Sequence, residues 1–184
     1  MVQIKTVETT EEIHGILSLQ QRNFKESRTT DDVQSEGFVT VEHDYNTLQL
    51  MNSYEPQIIA VENGVVVGYA LVMVRQLEDE IAVLKPMFQM LNEISYRSKE
   101  ISESRFYIMG QVCIDKAYRG KGIFLELYKK HKSELSDKYD YCITEVSENN
   151  PRSMRAHLKV GFKIIHSFTD ATDTWNILLW DFEN

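Results

Sequence analysis

The run Ile114-Asp-Lys-Ala-Tyr-Arg-Gly-Lys-Gly-Ile-Phe124 constrains this chain more than any other stretch. Before it, Phe106–Ile114 is almost wholly apolar and reads as a mostly buried strand. After it, Phe124, Leu127, Tyr128, His131 and Leu135 recur at helical spacing, which predicts a helix over 122–135. Tyr141–Val146 then reads as a further strand. Strand, glycine turn, helix and strand in that order require a mixed α/β fold. The turn gathers backbone N–H groups and a helix N-terminus at one point, which suits an anionic group, most often a phosphate. Its glycines let the backbone approach a ligand, and Arg119 and Lys121 add positive charge.

The remaining elements are placed by local signals. Val2–Val7 alternates as a first strand, and Thr9-Thr-Glu-Glu12 is a capping box for a helix whose stripe is Ile13, Ile16 and Leu17. Arg28–Glu36 is polar and reads as a mobile loop. Tyr45–Tyr54 is a short helix stopped before Pro56. Ile58–Val61, Asn63-Gly64 and Val65–Val74 spell a hairpin, because Asn-Gly favours the primed turn that joins twisted strands. A helical pattern follows around Leu84–Tyr96. Asn150-Pro151 breaks the chain, a short helix over 153–160 follows and is ended by Gly161, and Phe162–Phe168 and Thr174–Phe182 are the last strands. With no repeat or linker in its 184 residues, the chain is expected to be a single domain over 1–184.

Composition narrows the function classes. The formal net charge of −8 disfavours general nucleic-acid binding and mildly favours a cationic or neutral substrate. No apolar run is long enough for a bilayer, so no membrane partner is expected. Cys113 and Cys142 lie in strands and are expected as buried free thiols, which fits a cytoplasmic location. The histidines have no ligand-like spacing, so no metal site is expected.

Phosphate-binding motifs differ in spacing. A P-loop needs Ser or Thr after its Lys, but Gly122 follows Lys121. A dinucleotide fingerprint needs a third glycine, and Leu125 stands there. Arg119-Gly-Lys-Gly122 instead resembles the acyl-CoA turn of the GNAT superfamily of N-acetyltransferases, Arg/Gln-x-x-Gly-x-Gly/Ala. The later segment Asn150-Pro-Arg-Ser-Met-Arg-Ala-His-Leu-Lys-Val-Gly-Phe162 resembles that family's Asn-x-x-Ala-x-x-x-Tyr-x-x-x-Gly-Phe pattern at unchanged spacing.

The resemblance implies a strongly twisted mixed sheet of six to seven strands with helices on both faces, splayed between Phe106–Ile114 and Tyr141–Val146. It implies acetyl-CoA as co-substrate. Its pantetheine would bond to the backbone around Val112, Cys113 and Ile114, and its pyrophosphate to the N–H groups of Arg119, Gly120, Lys121, Gly122, Ile123 and Phe124. Asn150 would meet the pantetheine amide region, while the Ser153 hydroxyl would cap its helix or touch the cofactor. The expected activity is acetyl transfer to a primary amine of a small molecule or peptide, by direct attack in a ternary complex. A non-catalytic acyl-CoA sensor and an acyltransferase for longer chains are the alternatives.

Departures from the family pattern sharpen the expectations. Phe124 stands where the family has Gly or Ala, and its place in the helical stripe points it toward the core. His157 stands at the tyrosine position whose family role is general acid toward the departing thiolate; an imidazole of pKa about 6.5 is suited to that, and the alternative is a helix-surface or core histidine that hydrogen-bonds locally. The strand before the turn has no carboxylate, which leaves Gln111 to orient a water or substrate and Glu145 as the base candidate or as a partner of Arg155. Cys113 has no adjacent histidine and is not expected as a nucleophile. Glu26–Thr47 is polar and carries Phe38 and Tyr45, and its Asp31, Asp32, Glu36, Glu42 and Asp44 are left open between a solvated acidic loop and a surface that attracts a cationic acceptor amine. The stripe of Leu84, Met87, Phe88, Met90, Leu91 and Tyr96 is left open between core packing, an acceptor pocket and a homodimer interface.

Overall fold

The computed structural model describes residues 1–23, 42–81, 85–171 and 173–183. Its seven-stranded sheet is mostly antiparallel, with the order β1-β2-β3-β6-β7-β9-β8, where β1 is Gln3–Thr6, β2 Ile58–Glu62, β3 Val65–Val74, β6 Phe106–Ile114, β7 Tyr141–Ser147, β8 Lys163–Thr169 and β9 Thr174–Asp181. The helices are α1 Thr10–Asn23, α2 Tyr45–Tyr54, α3 Lys85–Leu91, α4 Ile123–Leu135 and α5 Pro151–Val160, and β4 Ser95–Tyr96 pairs with β5 Lys99–Glu100 in a separate ribbon. The mixed α/β architecture expected from the sequence is the one found. The chain divides into two compact units, Met1–Val72 with Gly110–Ser133 and Met73–Met109 with Glu134–Asn184.

In the first unit the local signals act as read. Thr9 N–H donates to Glu12 Oε2 at 3.2 Å and Glu12 N–H to Thr9 Oγ1 at 3.3 Å, which completes the capping box. Asn63 at φ 51° and Gly64 at φ 77° form the primed hairpin turn. The core of this unit packs Ile58, Ala60, Val67 and Ala70 of the hairpin against Ile123 and Leu127 of α4. Tyr128 and His131, on the same face of α4, are wholly buried.

The β2–β3 ladder shows why a helix can stop so close to a strand. Ile58 pairs with Ala70, so the same antiparallel register would set Pro56 opposite Val72. Proline has no N–H to donate. The buried Gln57 side chain supplies the rung: its Oε1 accepts from Val72 N–H at 2.7 Å and its Nε2 donates to Val72 O at 3.2 Å.

In the second unit, Phe106, Tyr107 and Ile108 pair in parallel with Tyr141, Cys142 and Ile143. Just past that ladder, Thr144 Oγ1 donates to Met109 O at 2.9 Å. Phe88, Leu91, Phe106, Tyr107 and Leu178 contribute to the buried core of this unit. One expectation is corrected here. The helix expected around Leu84–Tyr96 ends at Leu91, and Tyr96 instead closes the first strand of a ribbon that turns at Arg97 (φ 51°) and Ser98 (φ 64°). Of the proposed stripe, Phe88 and Leu91 are core residues. The loop expected over Arg28–Glu36 lies outside the described residues.

Candidate active site

The glycine turn is built from β6 outward. Asp115 N–H donates to Val67 O at 2.9 Å as the strand ends. The Asp115 carboxylate then accepts from Ala117 N–H at 3.0 Å and caps a short 3-10 turn over Lys116–Tyr118. Gly120 has φ 75° and Gly122 φ 83°, and a Cβ placed on either meets nothing within 4 Å. Only glycine adopts such angles without strain, and both positions face open space. The α4 ladder begins with Glu126 N–H to Gly122 O at 3.2 Å, so the amides before Glu126 precede it.

The side chains of the turn differ from expectation in one respect. The Arg119 guanidinium is engaged within the protein: its Nε donates to Ile114 O at 3.0 Å and its Nη2 to Asn23 Oδ1 at 3.0 Å. Lys121 is exposed, with its ammonium 4.9 Å from the centre of the Tyr118 ring. Tyr118 in turn donates to Glu62 at 2.8 Å, which raises the phenol pKa and lowers that of the carboxylate. Phe124 is half-buried, its ring 5.0 Å from that of Tyr128, while Ile123 takes the buried place beside it. Upstream, Val112 and Ile114 are partly buried against the core cluster and Cys113 is buried.

The second motif forms α5 of the other unit. Asn150 Oδ1 accepts from Ser153 N–H at 3.1 Å, Pro151 takes the first helical turn, and Gly161 at φ 118° ends the helix. The cap is therefore Asn150 and not the Ser153 hydroxyl, which lies 3.3 Å from His157 Nδ1.

Of the two readings of His157, its surroundings are those of a core histidine that hydrogen-bonds locally. The residue is 1% exposed, its Nδ1 lies 2.8 Å from Ser153 O, and Phe162 stands edge-on 5.2 Å away. Burial pushes its pKa down to about 4, so at neutral pH the ring carries no charge. The bond to a carbonyl places the remaining proton on Nδ1. Such a ring is a poor proton donor.

Glu145 behaves in the opposite sense. It is half-buried on β7, opposite Ile177 of β9, and burial with the nearby charge of Asp170 raises its pKa to about 7. Among the described residues its carboxylate has no ion pair, so the expected pairing with Arg155 is not formed. Gln111 is buried and accepts from the Tyr69 hydroxyl at 2.5 Å. Both thiols are free and buried, and that of Cys142 is pushed up to about 12. Among the described residues no cluster of metal-ligating side chains occurs.

A cavity of about 510 Å³ in the first unit is lined by Leu17, Gln20, Gln21, Glu42, His43, Asp44 and Tyr45. Of the acceptor-region residues singled out in the sequence, Glu42, Asp44 and Tyr45 thus share one wall system, while Asp31, Asp32, Glu36 and Phe38 lie outside the described residues. Asp44 also caps α2, its Oδ1 accepting from Thr47 N–H at 2.7 Å. Sequence reasoning missed Asn23 and Arg22, which touch the glycine turn from α1. It also missed Asp173, whose carboxylate accepts from the Ser147 hydroxyl and from Asn149 Nδ2, the latter at 2.7 Å.

The profile of the acetyltransferase (GNAT) family matches residues 13–162. The chain belongs to that family, and with it to the acyltransferases. No curated protein matches it significantly. Among solved structures, a chain of the NatC complex bound to Gag peptide and CoA is 13% identical, with a TM-score of 0.66 and 98% of each chain covered. The ribosomal-protein-S18-alanine N-acetyltransferase of Escherichia coli is 15% identical, with a TM-score of 0.64 over 99% of this chain and 94% of that one. A third, yncA of Salmonella typhimurium with acetyl-CoA, is 13% identical, with a TM-score of 0.63 over 98% of this chain and 94% of that one. At these identities the likeness is one of fold.

Proposed function

We propose that this chain is an acetyl-CoA-dependent N-acetyltransferase that acts on a primary amine of a small molecule or peptide. The observation that carries the reading is the turn itself. Gly120 and Gly122 hold positive φ with open space around them, at the N-terminus of α4, in a chain of the GNAT family. Structures of the same fold solved with CoA or acetyl-CoA support it. In this reading the backbone of Arg119–Phe124 holds the pyrophosphate and that of Val112, Cys113 and Ile114 holds the pantetheine. Asn150 and Ser153 meet the pantetheine amide region.

The chemistry follows from charge. A free alkylamine has a pKa of about 10.4 and must lose a proton before it can attack. Glu145, with a pKa of about 7, is matched to take that proton near neutral pH. The nitrogen lone pair then forms a bond to the thioester carbonyl carbon, the C–S bond breaks, and the electron pair leaves on sulfur. The acylated nitrogen, now positively charged, gives up a second proton, the CoA thiolate takes up one, and the proton first taken by Glu145 is released to solvent, so that atoms and charges balance. His157 locks α5 rather than donating a proton to the thiolate. The cytoplasm is the setting proposed, in keeping with two free buried thiols.

The test is an assay of acetyl-CoA with an amine panel, following free thiol and the mass of each amine. Acetylated product supports the proposal. Binding of acetyl-CoA without product on any amine supports instead a non-catalytic acyl-CoA sensor, which the neutral His157 favours. Faster transfer from longer thioesters would identify a longer-chain acyltransferase.

A further inference from the structure

We infer that the last turn of α1 belongs to the cofactor-binding element, and that Asn23 is a positioning residue for the glycine turn. This rests on the reading that the turn binds CoA. Asn23 is 4% exposed, and its amide is held in one orientation because Nδ2 donates to Leu19 O at 2.8 Å. Only Oδ1 is thereby presented to Arg119, whose Nη2 donates to it at 3.0 Å. The same guanidinium reaches back to Ile114 O at 3.0 Å, so it closes the turn on its own strand. The preceding residue of α1, Arg22, grips the other end of the turn. Its Nη1 is steadied by Ser18 Oγ at 2.8 Å, and its Nη2 lies 3.4 Å from Asp115 Oδ2.

Two consecutive residues of one helix therefore hold both ends of the segment from Asp115 to Arg119. That helix is itself anchored by Ile13, Ile16 and Leu19, all buried. The path of the backbone into Gly120 is set from α1. Arg119 acts on the ligand through the shape of the turn, and Asn23 acts through Arg119.

The experiment measures CoA binding to the full chain by calorimetry, with steady-state kinetics alongside. Removing a buried hydrogen bond to a charged group with Asn23→Ala raises the CoA Kd about tenfold. It leaves kcat at saturating acetyl-CoA within about twofold, because chemistry is untouched once the cofactor is bound. Asn23→Asp keeps an acceptor for Arg119 and restores Kd to within about threefold of the wild type. The double variant with Arg119→Ala binds no more weakly than Arg119→Ala alone. Arg22→Glu, on a half-exposed residue that does not threaten folding, sets a like charge against Asp115 and also raises Kd, by about three- to fivefold.

A wild-type Kd in Asn23→Ala, full additivity in the double variant, or a wild-type Kd in Arg22→Glu overturns the inference alone. If Asn23→Ala does not fold, Arg22→Glu decides. A wild-type chain that binds no CoA overturns the proposed function and this inference together.

Discussion

Replacing Gly122 by alanine separates a backbone cost from a ligand cost, because the structure supplies its own control. Gly122 and Gly64 have nearly equal angles, φ 83° and 77°, and a Cβ on either meets nothing within 4 Å. In the free protein each substitution therefore costs only the left-handed strain of an L-residue, about 1–2 kcal/mol. For a chain of this size that is a fall of roughly 2–8 °C in Tm, and it should be the same for both variants. The two differ only if the open space at Gly122 is where a phosphate approaches the backbone. Losing one hydrogen bond to a charged oxygen costs about 1.5–3 kcal/mol, or about 10- to 150-fold in Kd. Calorimetry with CoA and thermal melts of G122A and G64A measure both quantities. Equal melting shifts with weakened binding in G122A alone are expected. Equal CoA affinity in the two variants would refute the assignment of the turn.

Glu145 has a folded pKa of about 7 against an ordinary 4.5, so the folded state holds a proton that the unfolded chain releases between those values. The contribution of Glu145 alone to stability should fall as pH rises through that window; urea melts should show E145Q gaining on the wild type at pH 8 and not at pH 4, and equal gains would refute it. His157 and His43, lowered to about 4, and His131, lowered to about 3, act in the other direction. The contribution of these histidines, which outnumber Glu145, should be lost as pH falls from 6.5 toward 4, and H131F should flatten part of that limb in acid melts. Cys113 and Cys142 are buried, and the Cys142 thiol at about 12 is not ionised near neutrality. A thiol reagent should label neither in the native protein and both in denaturant; rapid native labelling of Cys113 would reopen it as a nucleophile.

What the sequence made legible was local. The capping box at Thr9–Glu12, the Asn63-Gly64 turn and the Gly161 end of α5 are each decided within a few residues, and each stands where the pattern put it, while α5 begins at Pro151, two residues before the expected start. The Arg97-Ser98 turn was not legible, because neither residue is one that favours positive φ. The spacing of two motifs disclosed the family, but not what holds the first of them in shape. The Asn23–Arg119 bond joins residues 96 apart in the chain, and no periodicity announces it. The choice between the two readings of His157 was not legible for the same reason. Its position in a motif is a sequence fact, whereas its burial against Phe162 and its pKa are tertiary facts.

The Gln57 rung has a bearing on how this region can vary. A side chain there performs a main-chain task, so residues 56 and 57 are bound as one unit of inheritance. Proline is free to end α2 only while its neighbour supplies both halves of the missing pair to Val72. Gln57→Leu would strand a buried donor and a buried acceptor at once, whereas Gln57→Glu would keep the acceptor alone. A drifting lineage would more readily lose proline first than glutamine first. Related chains that carry an ordinary residue at 56 are the ones in which 57 should be found released to other residue types.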